Sequence, residues 1–373
     1  MLTIDVVSET APPDVNGVAM TVGRLLDGMR SRGHRVTLVR PKPSACDAAR
    51  GDVTVRGLPL PGYPDVRFGL PAGGFLRRRW EAHRPDVVHV VTEGPLGWSA
   101  VRCARSLGIP VTSGFHTNFD HYSVHYGFGW LRPLITAYLR GLHRKAGATV
   151  VPTATLAAEL AGSGIPGVRV VGRGVDAELF DPARCSLELR ASWGAGESDL
   201  VCLYVGRLAA EKNLALVVRS FSAIARARPS ARLVWVGDGP LRGLLEREPL
   251  QQHFAGWRTG AELAEHYASA DLFLFPSLTE TYGNVVAEAM ASGLGVVAYR
   301  SAAAAELIGD DVNGLIAPAG DERAFVDAAL RFTRAGLDWQ RGLRLAARES
   351  MLPRHWDQVV ASFETVLREV AEG

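Results

Sequence analysis

Cysteine is scarce. The four residues, Cys46, Cys103, Cys185 and Cys202, are scattered without C-x-x-C spacing. That excludes a disulfide framework and a zinc knuckle, and the expectation is reduced thiols in a cytoplasmic protein. Charge of one sign is not in excess either: 41 Lys and Arg face 39 Asp and Glu for a net +2. No global electrostatic attraction to nucleic acid follows from such a balance. No apolar run approaches the roughly 18 residues that a membrane span needs. The chain opens directly on the apolar run LTIDVV, without a basic stretch and long apolar core, so no signal peptide is expected. A complete Gly-x-Gly-x-x-Gly is missing: in Val236-Gly-Asp-Gly-Pro240 the third glycine position holds Arg242. A dinucleotide dehydrogenase is disfavoured on that ground. Asp-x-Asp is absent as well.

What is present is a repeated alternation. Short β-rich runs at Thr3–Ser8, Arg35–Val39, Asp52–Arg56, Val87–Val91, Val111–Gly114 and Thr149–Pro152 are separated by helical patterns, notably Ala19–Arg32, Gly97–Leu107 and Leu131–Ala146. A second alternation starts near Leu200 with LVCLYVGRL, ALVVRSFSAIARARP, RLVWVGDG, ELAEHYASA and DLFLFPS. Strands alternating with helices imply parallel sheets covered on both faces. At 373 residues the chain suits two such domains. The expected α/β organisation is a doubly wound domain over residues 1–172 and a second over 173–354, with the boundary in the Gly-, Asp- and Pro-containing stretch Gly172–Cys185. His355–Val370 reads as an amphipathic helix. Ligands of such sheets bind beyond the carboxyl ends of the strands, and every motif below falls at such an end.

The most informative stretch is Asp271–Gly293, DLFLFPSLTETYGNVVAEAMASG. An apolar strand enters a turn, Glu280 sits in the strand-to-helix loop, and Glu288 lies about two turns further. Between them are the free N–H groups of a helix start near Tyr282, Gly283 and Asn284, which attract anions. Carboxylates hold hydroxyls and amides hold phosphate, so the combination suits a phosphorylated sugar; a solvated helix face is the bland alternative. A second motif, Val205–Asn213 (VGRLAAEKN), places Arg207 and Lys212 five apart at a strand end. Arg grips phosphate oxygens as a fork and Lys as a point charge.

Glu280-x7-Glu288 followed by Ala-Met-Ala-Ser-Gly, together with Gly206-Arg207 and Glu211-Lys212, resembles the nucleotide-sugar signature of the retaining GT-B glycosyltransferases of family 4. The resemblance extends over nearly the whole chain. It implies two Rossmann-like domains facing a cleft, with the final helix (355–373) crossing back onto the first. It implies that Arg207 and Lys212 clamp the donor diphosphate, that Glu280 holds the donor sugar and Glu288 the ribose, and that Trp257 and Arg258, in HFAGWRTGAEL, contact the base. It also implies donor contacts at Gly17, in the proline-rigidified loop SETAPPDVNG, and at His116 of Gly-Phe-His-Thr-Asn, near the anomeric carbon. Read from pattern alone, Gly17 fits a routine strand-to-helix loop and His116 a structural histidine. Asp120, His121 and Tyr122 are candidates for the acceptor side. Metal-dependent GT-A enzymes use Asp-x-Asp to hold their ion. Here Arg207, Lys212 and the Gly283 helix start could replace it, so metal-independent transfer without a cofactor is expected.

FHTNFDHYSVHYG and SLTETYGN look most like the bacterial α-mannosyltransferases and related glycolipid-forming members. GDP-mannose is therefore the preferred donor, and a glycolipid or lipid-linked glycan the preferred acceptor. Gly129–Lys145 carries Arg132, Arg140 and Arg144 along one face, and Arg77-Arg78-Arg79-Trp80 adds a basic-aromatic cluster. Such a helix can lie peripherally on an anionic membrane, or be a core helix with a solvated basic face; both readings stand. Ser301–Glu306 departs from the family in lacking a Gly pair before its Glu. A nucleotide-sugar 2-epimerase and a non-catalytic sugar-nucleotide-binding module are the rival functions on the same scaffold.

Overall fold

The computed structural model describes residues 1–14, 16–42, 51–60, 63–115 and 132–373. By contacts the chain divides into two units: Met1–Arg173 with Trp356–Gly373, and Gly174–His355.

The first unit runs β1 (Thr3–Val7), α1 (Gly17–Ser31), β2 (Arg35–Pro41), β3 (Val53–Val55), β4 (Gly57–Leu60), β5 (Tyr63–Gly69), α2 (Gly73–Ala82), β6 (Val87–Val90), α3 (Pro95–Ser106), β7 (Val111–Gly114), α4 (Arg132–His143), β8 (Ala148–Val151), α5 (Ala154–Gly162) and β9 (Val168–Val170). Seven strands form one parallel sheet in the order β3-β2-β1-β6-β7-β8-β9. The near-continuous Val and Ile content of β1 and β6 follows from burial on both faces. The C-terminal helix Trp356–Glu372 packs Val360, Phe363, Val366 and Leu367 against Val22, Leu25 and Leu26 of α1 and the sheet.

The second unit runs α6 (Leu187–Ser192), β10 (Val201–Val205), α7 (Leu214–Ala227), β11 (Arg232–Val236), α8 (Arg242–Leu245), β12 (Gln252–Gly256), α9 (Gly260–Ala268), β13 (Leu272–Phe275), α10 (Asn284–Ala291), β14 (Gly295–Tyr299), α11 (Ala302–Leu307), β15 (Leu315–Ala317), α12 (Glu322–Arg334) and α13 (Leu337–Met351). Its sheet order is β12-β11-β10-β13-β14-β15, all parallel. In both sheets the winding reverses beside the first strand, between β1 and β6 and between β10 and β13. The chain leaves these neighbours in opposite directions and opens a crevice at their carboxyl ends.

The structure departs from the sequence reading at several places. Residues 57–69 form an antiparallel pair, β4 with β5, where no strand is expected. Arg77–Trp80 is not a basic-aromatic surface: Trp80 is buried and donates from Nε1 to Asp5 Oδ2 at 2.8 Å, and Arg79 joins the same carboxylate at 3.2 Å. Trp80 lies one helical turn after buried Leu76, so the apolar face of α2 takes it inward and leaves only Arg77 and Arg78 outside. Helix α4 likewise turns Leu139, Leu142 and His143 into the core. Leu134, Arg144 and Lys145 stay exposed.

Candidate active site

At the reversal point of the second sheet, the loops after β10 and β13 meet. Val205 ends the first strand and the chain turns through Gly206 to Arg207. The 3-10 turn Ala210–Lys212 follows, and Asn213 in a left-handed conformation (φ 54°) starts α7. Arg207 pairs with Glu211, whose side chain is buried. Tyr204, fully buried, donates its hydroxyl to the Arg207 carbonyl at 3.2 Å and fixes the turn.

The β13 loop joins this turn through side chains. Lys212 Nζ lies 2.5 Å from Glu280 Oε1. Ser277 Oγ donates to the same oxygen at 2.9 Å, and Thr279 Oγ1 donates to the Glu211 carbonyl at 3.1 Å. Gly283 (φ 88°) then starts α10, and no side chain caps its N-terminus. Two cations, two carboxylates and a helix start therefore share one strand-end crevice.

Glu288, one helical turn into α10, is buried and accepts from the Tyr267 hydroxyl at 3.0 Å. Burial pushes its carboxyl up to about 7, against the opposing pull of that hydrogen bond. The same buried carboxylate and its own burial drive the Tyr267 hydroxyl well above its ordinary value, burial being the larger cause. Trp257 follows β12 and is half exposed. Arg258 donates to the Trp257 carbonyl at 2.9 Å and reaches Glu262 at 3.7 Å.

Arg207, Lys212, Glu280, Tyr282, Gly283, Asn284 and Glu288 thus fall on two adjacent loops and one helix of the second unit. Trp257 and Arg258 sit at the end of β12, two strands away from β10. Gly17 lies in the first unit as the first residue of α1. There Asn16 caps the helix by accepting from Ala19 N at 2.8 Å, and its amide donates to Thr10 Oγ1 at 2.8 Å. His116, Asp120, His121 and Tyr122 lie outside the described residues. Among the described residues no group of three or more His, Cys, Asp or Glu is placed to hold a metal ion. Sequence reasoning missed Ser277, Thr279 and Tyr267 as site groups. The hydroxyls stand in the same turn as Glu280, a signal that was available. Tyr267 is 21 residues from Glu288 and only the packing of α9 on α10 joins them.

Comparison with known proteins follows the same division. The family described as Glycosyltransferase Family 4 matches residues 15–179, and the one described as Glycosyl transferases group 1 matches residues 199–334. A GDP-mannose-dependent alpha-mannosyltransferase of Mycobacterium tuberculosis is 34% identical, over 97% of this chain and 96% of its own. An alpha-monoglucosyldiacylglycerol synthase of Streptococcus pneumoniae is 26% identical, over 84% of this chain and 75% of its own. Among solved structures, sucrose-phosphate synthase from Thermosynechococcus elongatus superposes with a TM-score of 0.79 over 99% of each chain, at 19% identity. That last likeness is one of fold.

Proposed function

The chain belongs to glycosyltransferase family 4, and from that premise we propose that it moves mannose from GDP-mannose to a hydroxyl of a glycolipid or lipid-linked glycan, with retention at the anomeric carbon and without a metal. The architecture is GT-B and the enzyme a hexosyltransferase that uses a nucleotide sugar. The name of the mycobacterial relative supports the donor and that of the streptococcal one the lipid acceptor.

The observation that carries this reading is the Lys212–Glu280 bridge beside the uncapped start of α10. In the proposed donor complex Lys212 turns to the diphosphate and Glu280 to the sugar hydroxyls, each already held at the strand end. As the glycosidic C–O bond breaks, negative charge collects on the leaving phosphate. Arg207, Lys212 and the amides of α10 stabilise it where an ion would otherwise be needed. The leaving phosphate oxygen takes the proton of the attacking acceptor hydroxyl, on the same face of the sugar. Glu288 holds the ribose hydroxyls, and Trp257 and Arg258 the base.

A thermal-shift panel of GDP, UDP, ADP and their hexoses tests the donor, since stabilisation follows affinity. The largest shift is expected with the GDP compounds; no shift with any of them would sink the reading. Lys212→Ala is expected to lower kcat by about 10²–10³, as for loss of one charge-stabilising donor. A folded variant with kcat within threefold of the wild type contradicts the role. Full activity in excess EDTA is the outcome for metal independence, and an α-linked product by NMR for retention. Exposed Leu134, Arg144 and Lys145 with Arg77 and Arg78 support peripheral contact with anionic lipid. No helix among the described residues is long and apolar enough to cross a membrane. Co-sedimentation with anionic vesicles that persists only at low salt is the expected behaviour; equal partition with neutral vesicles opposes it.

A further inference from the structure

Among the described residues three that are not glycine have a positive φ: Asn213 at 54°, Asp311 at 64° and Ala302 at 46°. Asn and Asp enter the left-handed region readily, because a short polar side chain can bond to the nearby backbone. Alanine has no such group, and its Cβ crowds the following carbonyl there. No glycine stands in Ser301–Glu306 to take the conformation without cost. Residues held in this region persist where their surroundings over-determine them, and they gather at functional sites.

What holds Ala302 is the turn that carries Glu280. Strand β14 lies beside β13 in parallel, so the loops that follow them emerge side by side. Ser301, before Ala302, donates its Oγ to the Ser277 carbonyl at 3.4 Å. Ala303, after it, donates its N–H to the Tyr282 carbonyl at 2.8 Å. Ser277 and Tyr282 stand on either side of Glu280 in the chain, so the turn is clasped at both ends. Inside the clasp Ser277 Oγ donates to Glu280 Oε1 at 2.9 Å, and a Cβ at Gly283 would stand 3.4 Å from Glu280 Cγ. Tyr282, Ala303 and Ala304 are all buried in the core of the second unit. The left-handed backbone at Ala302 is what turns the Ala303 N–H back toward the β13 loop.

We propose that Ala302 is a positioning residue: it holds the Glu280 turn through a strained clasp, and so governs the sugar end of the donor rather than its nucleotide. The inference rests on the proposed function for the role of Glu280. Strain at Ala302 works against the Ala303–Tyr282 bond, so the residue at 302 sets how firmly the turn is held. Glycine, at ease with a positive φ, holds it more firmly than alanine. A β-branched residue, for which a positive φ is an outlier, holds it least.

The test uses Ala302→Gly and Ala302→Val in the full chain, with two readouts. Hydrogen exchange of the Ala303 amide reads the clasp without any ligand, and protection is expected to fall in the order Gly, Ala, Val. Calorimetry with GDP and with GDP-mannose reads its effect. Glu280 meets the sugar and not the nucleotide, so the GDP affinity is expected to stay unchanged. The preference for GDP-mannose over GDP is expected to rise about threefold in Ala302→Gly and to fall about tenfold in Ala302→Val. A residue with a merely structural role moves the melting temperature and both affinities together, and that result overturns the proposal. An unchanged preference in Ala302→Gly, the variant that relieves strain and keeps the fold, overturns it as well. A wild type that binds neither compound sinks the proposed function. Slower exchange of Ala303 in Ala302→Gly then still supports the clasp, and equal exchange overturns it.

Discussion

Burial makes Glu288 a weak acid, and the direction of its shift has a consequence for stability. Its carboxyl stands at about 7 in the fold against an ordinary 4.5. Below 4.5 the group is protonated whether the chain is folded or not, and costs nothing. As pH rises from 4.5 to about 7 the unfolded chain releases the proton while the folded one keeps it, so the fold loses stability. Above about 7 the cost is complete, on the order of 3 kcal/mol. A glutamine at 288 has no charge to desolvate and still accepts from Tyr267. Glu288→Gln is therefore expected to melt higher than the wild type at pH 8, with a gap that shrinks toward pH 4.5. A gap that does not change with pH refutes the assignment. The same variant is expected to bind nucleoside diphosphate more weakly by calorimetry, since under the proposed function the ribose hydroxyls lose a carboxylate acceptor. Stability gained and binding lost together are the mark of a group kept for its ligand.

At the scale of elements, the loop after β10 is held by its neighbour after β11. Gly206 N donates to the Val236 carbonyl at 2.9 Å and Leu208 N to the Asp238 carbonyl at 2.9 Å. Gly237 has φ +129°, and a Cβ there would stand 2.0 Å from the Gly206 carbonyl. The Val-Gly-Asp-Gly stretch is thus a backbone-to-backbone support for Arg207. Gly237→Ala is expected to cost about 2–4 kcal/mol by urea denaturation, from overpacking and left-handed strain together. It is also expected to raise the donor KM as Arg207 is displaced; unchanged stability and KM would refute this. These elements were legible in the sequence because each is a local signal: an apolar strand, a glycine, a charged turn and a helix start lie within a dozen residues. What was not legible depends on distant pairing. Ala303 and Tyr282 meet only because β13 and β14 are parallel neighbours. The β4–β5 pair carries Pro59 and Pro64, residues disfavoured inside strands, so no strand pattern marks it in the sequence. Trp80 looked like surface because three arginines precede it. Only its one-turn spacing from Leu76 and the reach of Asp5 put it inside.

At the scale of the whole chain, the two units are unequal in how they are encoded. The second is a continuous stretch, Gly174–His355, whose core residues all come from within it. It is closed at its base where Val175 N donates to the Arg354 carbonyl at 2.9 Å, joining the segments by which the chain enters and leaves. The first unit is discontinuous, because the helix Trp356–Glu372 supplies Val360, Phe363, Val366 and Leu367 to its core. Burying four such side chains contributes about 6–12 kcal/mol, which is of the same order as the roughly 5–15 kcal/mol that holds a whole domain folded. Glu364 of the same helix fastens it to the segment after α1, 2.5 Å from Arg32 and 3.1 Å from His34. Arg32 foremost, with Arg368 and His34, holds that carboxyl down at about 2. This latch is therefore intact above the ordinary carboxylate range and is lost as pH falls toward 2. A fragment of residues 174–355 is accordingly expected to show one cooperative thermal transition alone. A fragment of residues 1–173 lacks the covering helix and is expected to bind a hydrophobic dye without a cooperative transition. Adding a peptide of residues 356–373 at neutral pH restores the transition, and a Glu364→Ala peptide does so only at higher concentration. Cooperative melting of 1–173 without any peptide would show that the returning helix is an ornament of the first unit rather than part of its core.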